Sequence, residues 1–193
     1  RMLLILAEGK NSGDHFGAAV AIGDVNGDAK PDLIVGAPRA DVSAKDAGQI
    51  TVFDGLGKSV LYQRNGEQAG EHFGAAVAVA NGHLFVGSPK FDIATTVKDA
   101  GRVSIFDSGE GNSAALLTVN GAVKGDALGS AVTAENDQWA VGVPLADITG
   151  KGAGSVLVFS GLNANPIKTL HGSTAGDNFG GALNMQGDVN KDG

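Results

Sequence analysis

Gly13-Asp14-His15-Phe16-Gly17 returns as Gly70-Glu71-His72-Phe73-Gly74, as Gly125-Asp126-Ala127-Leu128-Gly129 and as Gly176-Asp177-Asn178-Phe179-Gly180. The copies start 57, 55 and 51 residues apart, and a recurring period identifies a repeat architecture before any single element is assigned. About twenty residues after the marker comes Val35-Gly36-Ala37-Pro38, echoed by Val86-Gly87-Ser88-Pro89 and Val141-Gly142-Val143-Pro144. A third marker follows each of these: Ala47-Gly48-Gln49-Ile50-Thr51-Val52-Phe53, Ala100-Gly101-Arg102-Val103-Ser104-Ile105-Phe106 and Ala153-Gly154-Ser155-Val156-Leu157-Val158-Phe159.

Between markers the apolar residues form short runs rich in Val, Ile and Phe, bounded by Gly, Asp, Asn or Pro, which read as strands. Each full repeat holds four, at roughly 17 to 22, 32 to 37, 48 to 54 and 58 to 63 in the first. Four strands in a unit of about fifty residues, repeated in tandem, describe a propeller blade. The expected fold is therefore all-β, a β-propeller of four-stranded blades, with three complete blades plus parts of two others and almost no helix. Residues 1–12 are expected to hold the outer strand of a preceding blade, with Met2 to Ala7 as that strand. Blades then occupy 13–69, 70–124 and 125–175, and 176–193 begin a further one, all in a single segment 1–193. Closed propellers have about four to eight blades. The chain is thus expected to be a fragment of a longer polypeptide, or to assemble with further blades or other copies.

Small residues in Gly17-Ala18-Ala19-Val20-Ala21 suit an innermost strand, where blades converge and space is tightest. Phe16, Phe73, Leu128 and Phe179 are expected to pack between neighbouring blades, and Pro38, Pro89 and Pro144 to end the second strands.

Composition narrows the function. With 31 glycines, 5% aromatics and no cysteine in 193 residues, the chain is turn-rich and has no thiol chemistry. The formal charge of −7 gives no basic cluster to neutralise phosphates, so no nucleic-acid partner is expected. No apolar run approaches the roughly 20 residues of a membrane span. Ser, His and Asp in a triad arrangement, a glycine-rich phosphate loop and an H-E-x-x-H pattern are all missing from the sequence.

The stretch that carries chemistry is Asp24-Val25-Asn26-Gly27-Asp28-Ala29-Lys30-Pro31-Asp32, with side-chain oxygens at loop positions 1, 3, 5 and 9. That spacing suits Ca2+, a hard cation that takes six to eight oxygen ligands, and the Lys30 backbone carbonyl would fill position 7. An EF-hand would need a glycine at position 6 and a glutamate at position 12, where this chain has Ala29 and Val35. The loop is therefore read as a calcium-binding hairpin connection between the first two strands of a blade, structural in role. Asp188-Val189-Asn190-Lys191-Asp192-Gly193 restarts the pattern and supplies Asp188, Asn190 and Asp192 as a second, incomplete site. The second and third repeats replace the loop with Asn81-Gly82 and Asn136-Asp137 and should bind no calcium there. The bland alternative is that these residues merely form Asx turns.

Together, Phe16-Gly17, Asp24 to Asp32 and Gly36-Ala37-Pro38 resemble the FG-GAP repeat. The resemblance implies a propeller of the integrin α-subunit kind, with Asp24, Asn26, Asp28, Lys30 and Asp32 as calcium ligands. It also implies a non-catalytic extracellular or cell-surface module for adhesion, meeting a protein or glycan ligand on a loop face. Leu128 for Phe, and Ser88 and Val143 for Ala, depart from the pattern. Rival expectations are an accessory domain of a larger secreted enzyme, a lectin, and a structural filament or cell-surface protein. Asp41, Asp92 and Asp147 recur after the proline marker and read as turn formers. Trp139 and Tyr62 read as packed rather than as a sugar platform, and the four histidines as neither ligands nor catalysts.

Overall fold

The computed structural model describes residues 8–55 and 59–185. The first sheet holds β1 (Ala19–Gly23), β2 (Asp32–Ala37), β3 (Gln49–Asp54) and β4 (Ser59–Asn65). The second holds β5 (Ala76–Ala80), β6 (His83–Ser88), β7 (Arg102–Asp107) and β8 (Leu117–Asn120). The third holds β9 (Val132–Glu135), β10 (Gln138–Val143), β11 (Ser155–Ser160) and β12 (Lys168–His171). Each sheet is antiparallel in sequence order, and the described residues contain no helix. These are the three four-stranded blades expected from the repeats. The expected strand Met2 to Ala7 lies outside the described residues.

The boundaries follow from backbone chemistry. β1 starts two residues later than its apolar run because His15 and Gly17 take left-handed φ of 57° and 88° and belong to a turn. The same geometry recurs at every marker: His72, Ala127 and Asn178 have φ of 58°, 58° and 50°. The prolines stand directly after β2, β6 and β10, where a missing donor ends the ladder harmlessly. Asn81 and Gly82, both left-handed, form the tight turn that joins Ala80 to His83.

Central strands carry the core. Ile34, Ile50, Val52, Leu84, Val86, Val103, Ile105, Val141 and Phe159 are fully buried. Trp139 lies between Phe159, stacked at 4.0 Å, and Phe85 at 5.6 Å, while its Nε1–H donates to the Gly161 carbonyl at 3.0 Å. Its faces are thus packed, as the sequence suggested. On the inner side β5 packs between β1 and β9, and its Ala76, Val77 and Ala78 are buried. β1 keeps Val20 and Ile22 exposed.

The blades lock through the markers. The amide of Phe73 donates to the Ala47 carbonyl at 2.9 Å, that of Leu128 to Ala100 at 3.0 Å and that of Phe179 to Ala153 at 3.0 Å. Each bond joins the first marker of one repeat to the third marker of the repeat before it. Gly48, Gly101 and Gly154 sit opposite these residues in parallel bridges, with φ of 87°, 85° and 82°. A Cβ there would meet the Phe73, Leu128 or Phe179 carbonyl at 2.2, 2.1 or 2.3 Å, so only glycine fits. Phe73 is wedged between this bridge and Phe106 of its own blade, ring to ring at 6.2 Å.

Candidate functional site

The loop from Asp24 to Lys30 leaves β1 and returns at Asp32, the first residue of β2. Its side chains first satisfy its own backbone. Asp24 accepts from Gly27 N–H at 2.7 Å through Oδ1 and from Ala29 N–H at 2.8 Å through Oδ2. Asn26 Oδ1 accepts from Asp28 N–H at 3.0 Å, and Asp28 Oδ1 from Lys30 N–H at 2.9 Å. These are linked Asx turns, the local competition with regular structure that short polar side chains offer. Ala29 is held at φ 62°, a conformation that disfavours any residue with a Cβ.

Two residues anchor the exposed loop, and neither role was read from the sequence. Val25 is buried in the core, and its carbonyl accepts from the Ser108 hydroxyl of the next blade at 3.1 Å. Asp32 is fully buried, with Oδ2 accepting from Val25 N–H at 3.0 Å and Oδ1 from Gly55 N–H at 2.9 Å. It therefore ties the loop to the turn after β3. The available signal was the apolar residue at loop position 2, repeated as Val189 in the truncated copy.

The loop carries a cation of its own. Lys30 Nζ donates to Asp28 Oδ2 at 2.9 Å, and this bond raises the lysine pKa above its ordinary value. The donor set at 24, 26, 28, 30 and 32 is all oxygen and chemically fits a hard divalent cation, since an ionised carboxylate bonded to one N–H per oxygen keeps lone pairs in reserve. Among the described residues no three acidic or histidine side chains converge at metal-ligand spacing. Asp32 is buried at the foot of the loop, bonded to Val25 N–H and Gly55 N–H, while Asp24, Asn26 and Asp28 are exposed. Asp188, Asn190 and Asp192 lie outside the described residues.

The remaining candidates have structural partners. Asp41, Asp92 and Asp147 each accept a backbone N–H from the loop that follows, from Asp46 at 2.7 Å, Asp99 at 2.8 Å and Gly152 at 2.6 Å. Their recurrence is thus a recurring turn. His15 and His72 are the left-handed residues of their markers. His171 Nδ1 lies 2.9 Å from Ser155 Oγ, its direct cross-strand partner. Gln49 with Asn65 and Arg102 with Asn120 form the corresponding pairs in the other blades, so this pair is a repeated cross-strand contact rather than a nucleophile with its base. Tyr62 donates its hydroxyl to the Ser108 carbonyl at 2.5 Å, and burial pushes its pKa up to about 12.

Residues 16–53 match the FG-GAP repeat model. The chain is 31% identical, over 93% of its length, to integrin alpha-V of Gallus gallus, and 28% identical, over 82%, to integrin alpha-5 of Xenopus laevis. These alignments take in 19% and 17% of the two relatives, so the chain spans less than a fifth of their length. Among solved structures the Dos1 propeller aligns with 78% of this chain and 33% of its own at 15% identity and a TM-score of 0.48, a likeness too distant to bear on function.

Proposed function

The chain carries FG-GAP repeats in an integrin α-like β-propeller, and we propose that it is a non-catalytic recognition module of a cell-surface or secreted protein, stiffened by calcium at its first blade. The observation that supports this reading most is the Asp24 to Asp32 connection. The second blade makes the same connection with two residues, Asn81 and Gly82, and the third with Asn136 and Asp137. An eight-residue, oxygen-rich connection where two residues suffice calls for a role beyond joining strands.

On this reading Asp24, Asn26, Asp28, the Lys30 carbonyl and Asp32 hold the ion, and Asp188, Asn190 and Asp192 begin a second site. The bound ion supplies a structural cross-link and no Lewis-acid step. Val25 and Asp32 fix the loop ends, and Lys30, now bonded to Asp28 Oδ2, would have to release that oxygen for it to serve as a ligand. Blades at 13–69, 70–124 and 125–175 then form a stiff frame whose loop face meets a protein or glycan ligand.

Calorimetric titration of the intact protein with calcium tests the metal, and retention on immobilised protein and glycan panels tests recognition. Saturable uptake that D24A abolishes, a melting temperature lowered by chelator and calcium-dependent retention are expected. No uptake and a chelator-insensitive melt would sink the calcium assignment. Retention by neither panel would sink recognition.

A further inference from the structure

Gly55, Ser108 and Gly161 occupy one place in successive blades, directly after β3, β7 and β11. Each donates its backbone N–H to the connection between the first two strands of its own blade, or to the residue that closes it. Gly55 donates to Asp32 Oδ1, Ser108 to the Gly82 carbonyl and Gly161 to the Asp137 carbonyl. Of the three, Ser108 alone adds a side chain, and its hydroxyl crosses the blade junction to donate to the Val25 carbonyl at 3.1 Å. We propose that Ser108 is a positioning residue for the calcium site of the preceding blade, so that the bound ion and the junction between the first two blades strengthen one another. The inference rests on the calcium assignment of the Asp24 to Asp32 loop.

The hydroxyl stands where the neighbouring blade has something to position. Ser108 faces the long acidic connection of the first blade. Gly161 shares a small crevice with Asn81, in the two-residue turn of the second blade, and has no hydroxyl. A side chain required by the repeat itself would appear at all three places.

Val25 lies between Asp24 and Asn26, loop positions 1 and 3, and it is held from two sides. Its N–H donates to Asp32 Oδ2 at 3.0 Å within the first blade, while its carbonyl accepts from Ser108 of the second. The peptide that bears this carbonyl is planar and leads directly into Asn26, so holding it fixes where the Asn26 side chain begins. The Val25 side chain is buried in a cluster with Ile34 and Val52 of the first blade and Leu84 and Val86 of the second. Ser108 is equally fixed. It is 2% exposed, its N–H bond to Gly82 is 2.9 Å long, and its carbonyl accepts the Tyr62 hydroxyl from the first blade. The second blade thus orders part of the loop in advance, which spares the ion that cost. Coupling of this kind is reciprocal, so the ion in turn tightens the junction.

Calcium calorimetry and amide exchange on the intact protein read the coupling. S108A should bind calcium about fivefold more weakly than wild type. S108G, which copies Gly55 and Gly161, serves as a second variant should S108A fail to fold. In the wild type, calcium should slow exchange of the Ser108 N–H about fivefold more than that of the Gly161 N–H. A hydroxyl that only packs would lower the melting temperature equally with calcium and with chelator and leave the affinity unchanged. Equal affinity in the Ser108 variants, or exchange slowed alike at Ser108 and Gly161, would overturn the proposal and leave the calcium assignment standing. Absence of calcium uptake by the wild type would remove both.

Discussion

The Gly74 carbonyl oxygen lies 2.0 Å from the place a Cβ on Gly36 would occupy, so the first two blades meet there backbone to backbone. The same approach recurs between Gly87 and Gly129 at 2.1 Å and between Gly142 and Gly180 at 1.9 Å. Backbone cannot swing aside as a side chain does. Alanine at Gly36, Gly87 or Gly142 should therefore push neighbouring blades apart and lower stability by about 3 kcal/mol in denaturant titrations. Gly70 has open space around it and only a left-handed φ of 76° to defend. G70A should cost about 1 kcal/mol, and a loss as large as that of G36A would refute the close-approach argument.

Leu128 occupies the marker place that Phe16, Phe73 and Phe179 hold elsewhere. Phe73 meets Phe106 edge to face at 6.2 Å, and both border an inter-blade cavity of about 310 Å3. Leu128 borders the next one, of about 390 Å3, which Phe159 also lines. L128F should fill part of that space and raise stability by about 1 kcal/mol, read as a higher melting temperature. A fall would mean that the crevice is narrower than its outline.

Much of this architecture was legible in the sequence, because a blade is a local object. Runs such as Asp32 to Ala37 announce strands through composition, and Pro38, Pro89 and Pro144 end them by chemistry that needs no partner. The start of β1 was misplaced because Gly17 looks like part of an apolar run until its φ of 88° is known. What could not be read is everything that arises when blades touch. Ser108 reaches the Val25 carbonyl across 83 residues, and Arg64 reaches Ser113 across 49. The bracing role of Asp32 hid for a different reason. An oxygen pattern gives residue types at fixed spacing but not which carboxylate is buried and bonded to backbone N–H groups.

Ala29 is the sixth residue of the acidic loop and holds φ 62° with a Cβ attached. Glycine relieves that strain, which is of order 1 kcal/mol, but adds disorder to the unfolded chain. A29G should gain a few tenths of a kcal/mol net in stability and, on the calcium reading, tighten calcium binding by a few-fold, because Ala29 N–H helps aim Asp24. Calorimetry with the variant checks both. Weaker calcium binding alongside a more stable fold would show that the loop must stay strained to hold the ion.

His72 and Glu71 pull acid stability in opposite directions. Burial lowers the His72 pKa below 6.5, helped by Lys90 and Arg39 and opposed by Asp46 and Asp99. The unfolded chain then takes up a proton that the folded chain refuses. The His72 contribution is fully present above pH about 6.5 and is lost as pH falls through its lower folded value. Burial raises the Glu71 pKa above 4.5, so its contribution is present below that value and lost as pH rises through the folded pKa. H72N isolates the first effect. Asn178 holds the same marker place at φ 50°, against 58° for His72, so asparagine should keep the backbone. Subtracting H72N from wild type in urea titrations between pH 7.5 and 4.5 should give a difference that falls steadily with acid below pH about 6.5. A flat difference would place His72 in water at both ends of folding.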